Sequence, residues 1–373
     1  MGRAPADGAP KNAPPDPPRR VLITRLRQIG DVILSLPLVE AIHEIYPHAE
    51  IDYLAEEAPA QAAIGHPALR RVFRFDPRSW PGFPAPPDLL LGLRRARYDW
   101  VIDLYGNPRS ALIAWWTGAP VRVGQGRRAR RRFYTHSIPP VVEPISAVDH
   151  HLLALRALGV PSPMRRGQPR IHLSADERAR GAAILDSALP GGGSRVGLHV
   201  GNRWPAKRWP EERFQALLRA LSTIGARGVV LAGPGETALA RRVAAGARQD
   251  ARPDGRQHVR ADAPVIADLP LRDYFAVVAS LDALVTNDGS PLHAGPALGV
   301  PTVGILGPTV PEIWFPYDDP AGRHQLLCKE IWCRPCHRHE CDRMDCLDWI
   351  GVGEALRATA RALNVAEGAV ASA

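Results

Sequence analysis

The sequence predicts an α/β fold made of two Rossmann-like domains that face each other across a cleft. Short buried strands alternate with amphipathic helices, which is the pattern of parallel sheets built from βαβ units. The chain also begins this pattern twice, with "RVLITRLRQIGD" at residue 20 and "RVGLHVGNRWPAK" at residue 195. Each copy reads as an apolar strand, a polar or glycine-bearing loop and a helix.

Composition and length limit the classes of protein to which the chain can belong. With 373 residues it is long enough for two domains with cores of their own. Residues 1–19 are rich in Pro, Gly and Ala and lack an apolar segment, so we expect a disordered tail rather than a secretory signal peptide. No apolar run approaches the roughly 20 residues of a membrane span. We therefore expect a cytoplasmic protein, with a linker in the Pro- and Gly-rich segment 158–170.

A single carboxylate, Asp31, stands out in the first half of the chain. Residues 20–24 form a buried strand, and the spacing of Leu38 and Ile42 predicts a helix behind it, so Asp31 lies at a strand-to-helix turn. One interpretation is a helix N-cap, because a carboxylate there accepts a hydrogen bond from an otherwise unpaired backbone N–H. The other is a general base, because open α/β sheets bind ligands at the carboxyl ends of their strands.

The stretch "ALVTNDGSPLHAGPALGVPTVGIL" in the second half predicts a strand at 283–286, a helix and another strand at 302–306. Ser290 is expected as the N-cap and Pro291 as the first helical residue, with the helix ending near Gly299. A helix N-terminus beside a glycine can hold a phosphate, and His293 can add a donor. A well-capped core helix without a ligand is the alternative.

Two further polar residues follow neighbouring strands of the second half. Lys207 lies in the loop after the strand at 195, where its charge can neutralise a phosphate. Glu236 follows the strand 228–233, where a carboxylate can accept hydrogen bonds from ribose hydroxyls or balance a helix dipole. In a parallel sheet these loops open on the same edge as the turn at residue 290.

The motifs together resemble the ADP-heptose:lipopolysaccharide heptosyltransferases of glycosyltransferase family 9. The resemblance runs from about residue 20 to residue 360 and rests on the following stretches: "RVLITRLRQIGDVILSLPLVEAIHEIYP", "YDWVIDLYGNPRS", "KRWPEERF", "LAGPGE" and "TNDGSPLHAGPALGVPTVGILGPT". It implies a GT-B fold with an acceptor domain at 20–165, a donor domain at 171–360 and a flexible C-terminus at 361–373. It also implies metal-independent, inverting transfer of a heptose from ADP-heptose to an inner-core lipopolysaccharide sugar in a Gram-negative bacterium.

The resemblance assigns roles by position. Asp31 matches the general base, Lys207 the lysine that binds the diphosphate, and Glu236 the acid that binds the ribose. The remaining donor-binding positions are Asn202, Arg203, Leu269, Asp288, Gly289, Ser290 and His293. The chain departs from the family where Gly289 and Ser290 transpose the usual glycine and hydroxyl residue, and where Arg203 replaces a small residue. Either change is compatible with a different donor sugar. The alternative function is therefore a related glycosyltransferase that uses another nucleotide sugar, or one that uses a capsule or O-chain acceptor.

The chain carries a formal net charge of +9 and a basic run, "RRARRRF", at 127–133. Nucleic acid, an anionic membrane surface and an acidic substrate are all partners for such a charge. No nucleic-acid-binding motif is present, so we expect no nucleic acid and a peripheral contact with the inner membrane surface. A solvated arginine loop is the alternative interpretation.

All five cysteines lie between residues 328 and 346, and the stretch "CRPCHRHECDRMDC" spaces four of them by three, five and five residues. Clustering of this kind in a cytosolic chain is more typical of a tetrahedral zinc site than of disulfides. No cofactor is expected in the reaction. A structural metal at Cys333, Cys336, Cys341 and Cys346, a set of reduced thiols and a labile disulfide all remain open.

Two other classes of function compete with glycosyl transfer. A nucleotide-dependent oxidoreductase would also use Rossmann units, but "RQIGDVILSLP" lacks the G-x-G-x-x-G fingerprint of dinucleotide binding. A non-enzymatic nucleic-acid-binding protein is suggested only by the net charge.

Overall fold

The structure is a computed structural model that describes residues 15–78, 80, 84–126, 128–161, 167–247, 263–317, 319 and 321–365. The chain divides into two compact units, unit 1 at Met1–Gly167 and unit 2 at Gln168–Ala373. Their boundary falls inside the predicted linker 158–170, of which residues 162–166 lie outside the described residues. Most of the predicted N-terminal tail and residues 366–373 of the predicted C-terminal tail also lie outside them.

The described part of unit 1 holds one six-stranded parallel sheet with helices between its strands. Its strands are β1 (Arg20–Thr24), β2 (Glu50–Glu56), β3 (Leu69–Phe75), β4 (Trp100–Asp103), β5 (Val121–Gly124) and β6 (His136–Ser137). Its helices are α1 (Ile29–Ile45), α2 (Glu57–Ala60), α3 (Pro87–Arg95), α4 (Pro108–Trp116) and α5 (Ala147–Ala157), with a 3-10 turn at Arg128–Phe133.

The described part of unit 2 repeats this architecture with a second six-stranded parallel sheet. Its strands are β7 (Ser194–His199), β8 (Ala226–Ala232), β9 (Val265–Ala267), β10 (Ala283–Asn287), β11 (Thr302–Leu306) and β12 (Gln325–Cys328). Its helices are α6 (Ala175–Ala188), α7 (Glu211–Ala220), α8 (Thr237–Gly246), α9 (Leu271–Ala279), α10 (Ser290–Ala297), α11 (Pro311–Trp314), α12 (Asp345–Asp348) and α13 (Val352–Ala362), with 3-10 turns at Pro205–Lys207 and Leu221–Ile224.

The two sheets share one strand order. In unit 1 it is β3-β2-β1-β4-β5-β6, and in unit 2 it is β12-β11-β10-β7-β8-β9. In each sheet the chain starts in the middle, moves to one side and then returns to the other side of its first strand. The order therefore reverses between β1 and β4 and between β7 and β10, which are the crevices where doubly wound sheets bind ligands. The prediction of an α/β fold with two similar Rossmann-like halves is confirmed.

The cores explain why these segments form strands and helices. Val21, Leu22 and Ile23 of β1 are fully buried, as a central parallel strand with helices on both faces requires. In unit 2, Phe214 and Leu217 of α7 pack into the core cluster of Val196 and Leu198 from β7. No helix within the described residues combines the length and the apolar composition that crossing a bilayer requires.

Two predicted helix starts are shifted by one residue. Ser290 was expected as an N-cap, but Gly289 holds that position and Ser290 is the first residue of α10. The stretch "PEERFQALLRALSTIG" predicts a helix with Pro210 as its first residue, but Pro210 is the N-cap of α7. Each helix begins next to the expected proline, whose fixed φ suits either position. Gly225, at the end of the same stretch, is predicted to stop this helical segment, and it ends the 3-10 turn at Leu221–Ile224 with φ 70°.

Candidate active site

The predicted donor-binding residues of unit 2 all follow the carboxyl ends of its parallel strands. Asn202, Arg203 and Lys207 lie after β7, Glu236 after β8, Leu269 after β9, and Asp288 to His293 after β10. Because the strands run in one direction, these loops open on one edge of the sheet. The reversal in strand order places the β7 and β10 loops side by side.

Lys207 and Asp288 join these two loops directly. The Nζ of Lys207 lies 2.6 Å from Oδ2 of Asp288, and the two side chains are only 13% and 4% exposed. The ammonium also lies 4.6 Å from the ring centroid of Trp204, a cation–π arrangement. A lysine has three donors, and this ion pair uses one of them. The remaining donors of a preoriented cation are suited to phosphate oxygens.

Asp288 is held from several sides. Its Oδ2 accepts a hydrogen bond of 2.5 Å from the Thr309 hydroxyl, and its carbonyl accepts one of 2.6 Å from the Asn202 amide. The Asn202 side chain also accepts from the Trp204 N–H at 2.9 Å. Both ends of the Asn202 amide are therefore committed to the loop. The position of Asn202 therefore predicts a role in shaping the site. Asp288, held in this way, orients Lys207.

The start of α10 lies beside this ion pair. Pro291 has no N–H, and the Leu292 N–H already donates to the Gly289 carbonyl. Neither the Gly289 N–H nor the Ser290 N–H donates to another described residue. These are the unpaired donors that a helix N-terminus presents to an anion, together with the positive end of the helix dipole. The transposed glycine and serine thus leave two amide donors in place.

His293 is buried one turn into α10. Its Nδ1 lies 2.9 Å from the Tyr317 hydroxyl. Burial lowers the pKa of His293 to about 4, against a raising effect of the Asp288 charge, and the positive charge of Lys207 adds a smaller lowering effect. The imidazole is therefore neutral near pH 7, so His293 contributes a polar ring rather than a positive charge.

Glu236 follows β8 and packs tightly against the first loop of unit 2. Its Oε2 accepts a hydrogen bond of 3.1 Å from the Gly233 N–H. A side chain at Gly201 would overlap this carboxylate, so the close approach requires a glycine. Burial lowers the pKa of His199, 3.9 Å away, to about 4, so this histidine does not neutralise Glu236 near pH 7. Among the described residues no donor pairs with Oε1 of Glu236, which suits a ligand hydroxyl.

Arg203 and Leu269 lie at the margin of this edge. Arg203 is exposed, and within the described residues its side chain makes no hydrogen bond or ion pair. Leu269 is half-buried after Asp268, whose φ of 55° turns the chain between β9 and α9. Both residues are available to a ligand, but the structure does not bring them into the Lys207–Asp288 contact.

Sequence reasoning missed Asn287, the last residue of β10. Its Nδ2 donates to the Val200 carbonyl at 2.9 Å, and its Oδ1 accepts from the Trp209 N–H at 2.9 Å. This buried amide therefore ties both ends of the loop that carries Lys207. The available signal was a polar residue at the end of an otherwise apolar strand, because a buried amide needs partners.

Asp31 lies at the strand-order reversal of unit 1. The N-cap of α1 is Gln28 and Asp31 is the third helical residue, so the N-cap interpretation of Asp31 is wrong. Its Oδ2 lies 2.5 Å from an Nη of Arg25, and both side chains are mostly buried. Arg25 stacks over the Tyr105 ring at 4.9 Å and donates to the Leu104 carbonyl at 3.5 Å. Since Leu104 follows β4, Arg25 links Asp31 to the far side of the crevice.

Comparisons with known proteins agree with this architecture. The sequence model of glycosyltransferase family 9 (heptosyltransferase) matches residues 88–347. The chain belongs to glycosyltransferase family 9. It is 28% identical over 341 residues to lipopolysaccharide heptosyltransferase 1 of Pseudomonas aeruginosa, covering 86% of this chain and 87% of that one.

Solved structures of family 9 proteins share the fold. The glycosyl transferase family 9 protein of Veillonella parvula has a TM-score of 0.70 and 25% identity, covering 83% of this chain and 85% of that one. The ADP-heptose lps heptosyltransferase II of E. coli has a TM-score of 0.74 and 20% identity, covering 92% of this chain and 98% of that one. The GT-B fold and the resemblance to family 9 are confirmed.

Membership of the family also decides between the classes of function. The chain is a glycosyltransferase, so the oxidoreductase and the non-enzymatic nucleic-acid-binding interpretations are wrong. The match to the family's sequence model begins at residue 88, so it includes the loops of Lys207, Glu236 and Asp288 but not Asp31. The role of Asp31 therefore depends on its position and contacts in unit 1.

Proposed function

We propose that the chain transfers a heptose from ADP-heptose to an inner-core sugar of lipopolysaccharide, with inversion at the anomeric carbon. Residues 20–165 bind the acceptor and residues 171–360 bind the donor. The names of the relatives support lipopolysaccharide as the target and ADP-heptose as the donor. The observation that carries the proposal is that Asp31 and Lys207 occupy equivalent places, each after the first strand of its sheet at the reversal in strand order.

The donor half of the reaction depends on stabilising the ADP leaving group. Lys207 is preoriented by Asp288, and the Gly289 and Ser290 N–H groups lie at the positive end of α10. Preorganised donors of this kind stabilise negative charge as it develops on the diphosphate, because they need no reorganisation in the transition state. Glu236 accepts hydrogen bonds from the ribose hydroxyls. The proposal requires no divalent metal at the diphosphate.

The acceptor half depends on Asp31. As the acceptor hydroxyl attacks the anomeric carbon, Asp31 takes its proton, while the bond from that carbon to the ADP oxygen breaks on the opposite face. General-base assistance of this kind contributes on the order of 10²–10⁴-fold in rate. Arg25 orients the Asp31 carboxylate and stabilises its negative charge before the proton arrives. Arg25 is therefore a positioning residue.

A face of unit 1 is suited to the membrane in which the acceptor lipid is embedded. Trp115 and Trp116 at the end of α4 are 51% and 39% exposed. Arg94 donates to the Trp116 carbonyl at 2.8 Å, the Trp115 and Phe133 rings lie 6.4 Å apart, and Arg132 stacks over Phe133 at 5.0 Å. We call these five residues the tryptophan–arginine face.

The chemistry of this face selects an anionic lipid surface. Exposed tryptophans favour the interface between lipid and water, and arginines are attracted to anionic lipids. The basic run predicted as a loop is a 3-10 turn at Arg128–Phe133, and Arg127 and the Arg128 side chain lie outside the described part of the chain. The exposed Arg131 extends the basic surface. We propose that this face makes the peripheral contact with the inner membrane.

A panel of nucleotide sugars tests the proposed reaction. Purified protein is incubated with ADP-heptose, ADP-glucose and UDP-glucose, each with and without Kdo-lipid A, and nucleoside diphosphate release and product mass are measured. We expect ADP release that requires both ADP-heptose and the acceptor, with a product heavier by one heptose. Faster turnover of another nucleotide sugar, or of a capsule or O-chain acceptor, would contradict the proposal and favour the alternative.

A further inference from the structure

Four cysteines that play no part in the proposed chemistry line one cavity of unit 2. Cys333, Cys336, Cys341 and Cys346 surround a volume of about 320 Å³, and none of them forms a disulfide. The fifth cysteine, Cys328, is not among the residues that line it. Free cysteines react with metal ions and with one another, so four thiols from one short segment that line one cavity are candidates for a shared ligand.

Three of the four cysteines lie in a segment with little regular structure to hold it, and Cys346 follows in α12. Residues 329–344 form neither helix nor strand. The Cys336 and His337 N–H groups both donate to the Pro308 carbonyl, at 3.1 and 3.2 Å. An irregular segment of this length normally needs a further constraint, and in small folds a structural metal or a disulfide commonly supplies it.

We infer that Cys333, Cys336, Cys341 and Cys346 bind one zinc ion as four thiolates. Cys333 and Cys336 have the Cys-x2-Cys spacing of zinc ligands, and a closed set of four cysteines is a structural rather than a catalytic zinc arrangement. Binding releases the four thiol protons to solvent and leaves the cluster with two net negative charges. Arg338 and Arg343 line the same cavity and offset that charge.

Zinc binding requires the segment to contract. Among the described residues, no three of these sulfurs lie within 4.8 Å of one another. Zn–S bonds of about 2.3 Å in a tetrahedron bring every sulfur within roughly 4 Å of the others. Cys346 is fixed in α12, whereas Cys333, Cys336 and Cys341 lie outside helices and strands, so we expect zinc to draw these three toward Cys346 and to order the segment.

The segment also packs on the loop that carries Lys207. The His339 carbonyl accepts a hydrogen bond of 3.0 Å from the Ala206 N–H, and Ala206 itself lines the cavity. The His339 ring stacks on Trp204 with centroids 3.7 Å apart, and Trp204 lies against the Lys207 ammonium. The zinc cluster therefore positions Lys207 through His339 and Trp204. This second step depends on the proposed donor-binding role of Lys207.

Metal analysis tests the site itself. Protein is purified under reducing, anaerobic conditions without added metal and analysed by mass spectrometry for metals. We expect about one zinc ion per chain. The double variant Cys333→Ser/Cys336→Ser should lose it, while Cys328→Ser, the matched control outside the cavity, should keep it. Protein without stoichiometric metal, or a double variant that retains it, would overturn the inference, and stoichiometric iron would overturn the choice of zinc.

Removal of zinc from the unmodified protein tests the link to Lys207 and does not depend on the folding of any variant. A strong chelator should lower the unfolding temperature and weaken ADP binding by about tenfold, and added zinc should restore both. Unchanged ADP affinity after complete removal of zinc would overturn the positioning role. If ADP does not bind the zinc-loaded protein at all, the proposed function fails while the metal content still decides the site.

Discussion

The Nζ of Lys207 lies 2.6 Å from Oδ2 of Asp288, and this ion pair connects the loops after β7 and β10. The lysine reaches the pair from a 3-10 turn and the carboxylate from the end of a buried strand, so neither backbone alone fixes the contact. The Thr309 hydroxyl and the Asn202 amide hold Asp288 from two further sides. The positive charge is therefore prepositioned at the reversal in strand order before any ligand arrives.

Substitution of Lys207 should weaken ADP binding. A hydrogen bond between charged groups contributes about 1.5–3 kcal/mol, so Lys207→Ala should raise the Kd of ADP by about 10–100-fold in calorimetry. Lys329, paired with Glu354 at 2.7 Å, is the matched control, and Lys329→Ala should leave ADP affinity unchanged. Because Lys207→Ala also leaves Asp288 buried without its cation, we expect a lower unfolding temperature. Equal affinity for ADP in the two variants would remove Lys207 from the donor site.

Substitution of Asp31 should slow the chemical step without weakening the donor complex. Asp31→Asn keeps the size of the side chain but removes the base, so kcat should fall by about 10²–10⁴-fold while the Kd of ADP stays within twofold. Asp88, an exposed acid in the first turn of α3, is the matched control. Asp88→Asn should retain full activity. Turnover by Asp31→Asn within a few-fold of the unmodified enzyme would show that the carboxylate acts only on the stability of α1.

The fold could be predicted from the sequence because its central strands are nearly continuous apolar runs. Residues 20–24 and 302–306 match β1 and β11 residue for residue. The ends of elements were less predictable. Ser290 and Pro210 each fit two adjacent positions at a helix start, and only the backbone angles of the neighbouring residues distinguish them.

Side-chain pairs distant in the chain could not be predicted. Lys207 and Asp288 were both identified, but the ion pair between them depends on β7 and β10 being neighbours, which a local pattern does not specify. The same holds for Arg25, whose contact with Leu104 requires β1 to lie beside β4. Sequence patterns thus indicate which residues lie at a sheet edge, and strand order determines which of them meet.

Glu236 should determine how much the ribose hydroxyls contribute to the affinity for ADP. If its carboxylate accepts hydrogen bonds from them, the unmodified enzyme should bind ADP about 10–100-fold more tightly than 2′,3′-dideoxy-ADP. Glu236→Gln should bring the two dissociation constants together, mainly by weakening ADP. Glu212, an acid in the first turn of α7, provides the control Glu212→Gln, which should keep the discrimination. A Glu236→Gln variant that still discriminates would place the ribose elsewhere.

Gly201 offers an independent check on the position of Glu236. Gly201→Ala would put a methyl group into the Glu236 carboxylate and displace it. The variant should lose discrimination between the two nucleotides as Glu236→Gln does. Gly192→Ala is the matched control, because an added Cβ at Gly192 would meet open space. The neighbouring Gly191 is unsuitable, because its φ of 98° strains any residue with a side chain. Retained discrimination in Gly201→Ala would contradict the close packing of Glu236 on this loop.

Buried histidines should make the enzyme lose stability in mild acid. Burial lowers the pKa of His151 to about 3 and the pKa values of His199 and His293 to about 4. The unfolded chain binds these protons near pH 6.5, so the unfolded state holds more protons between about pH 6.5 and pH 4. The free energy of unfolding should therefore be highest above pH 6.5 and fall as the pH drops through this window, by on the order of 3 kcal/mol for each histidine.

Urea unfolding from pH 7.5 to pH 4.5 measures this dependence. His151→Gln, whose amide can still donate to the Leu34 carbonyl as the ring Nδ1–H does, should reduce the slope of stability against pH. The exposed His43 is the control, and His43→Gln should leave the slope unchanged. A slope that is the same in His151→Gln and the unmodified protein would show that this ring is protonated in the folded state.

The tryptophan–arginine face should bind anionic vesicles through both of its components. An arginine near an anionic surface contributes roughly 1 kcal/mol, about fivefold in partitioning, so Arg131→Ser/Arg132→Ser should weaken binding by about 25-fold. Trp115→Ala/Trp116→Ala should weaken it through lost interfacial contact, and this loss should persist in high salt, which screens only the arginines.

Two exposed residues outside this face provide the controls for vesicle binding. Arg78 and Trp349 are 91% and 59% exposed, and the variants Arg78→Ser and Trp349→Ala should bind vesicles normally in cosedimentation. If all four variants bind alike, or if the unmodified protein binds neutral vesicles equally well, the acceptor lipid is reached without this face.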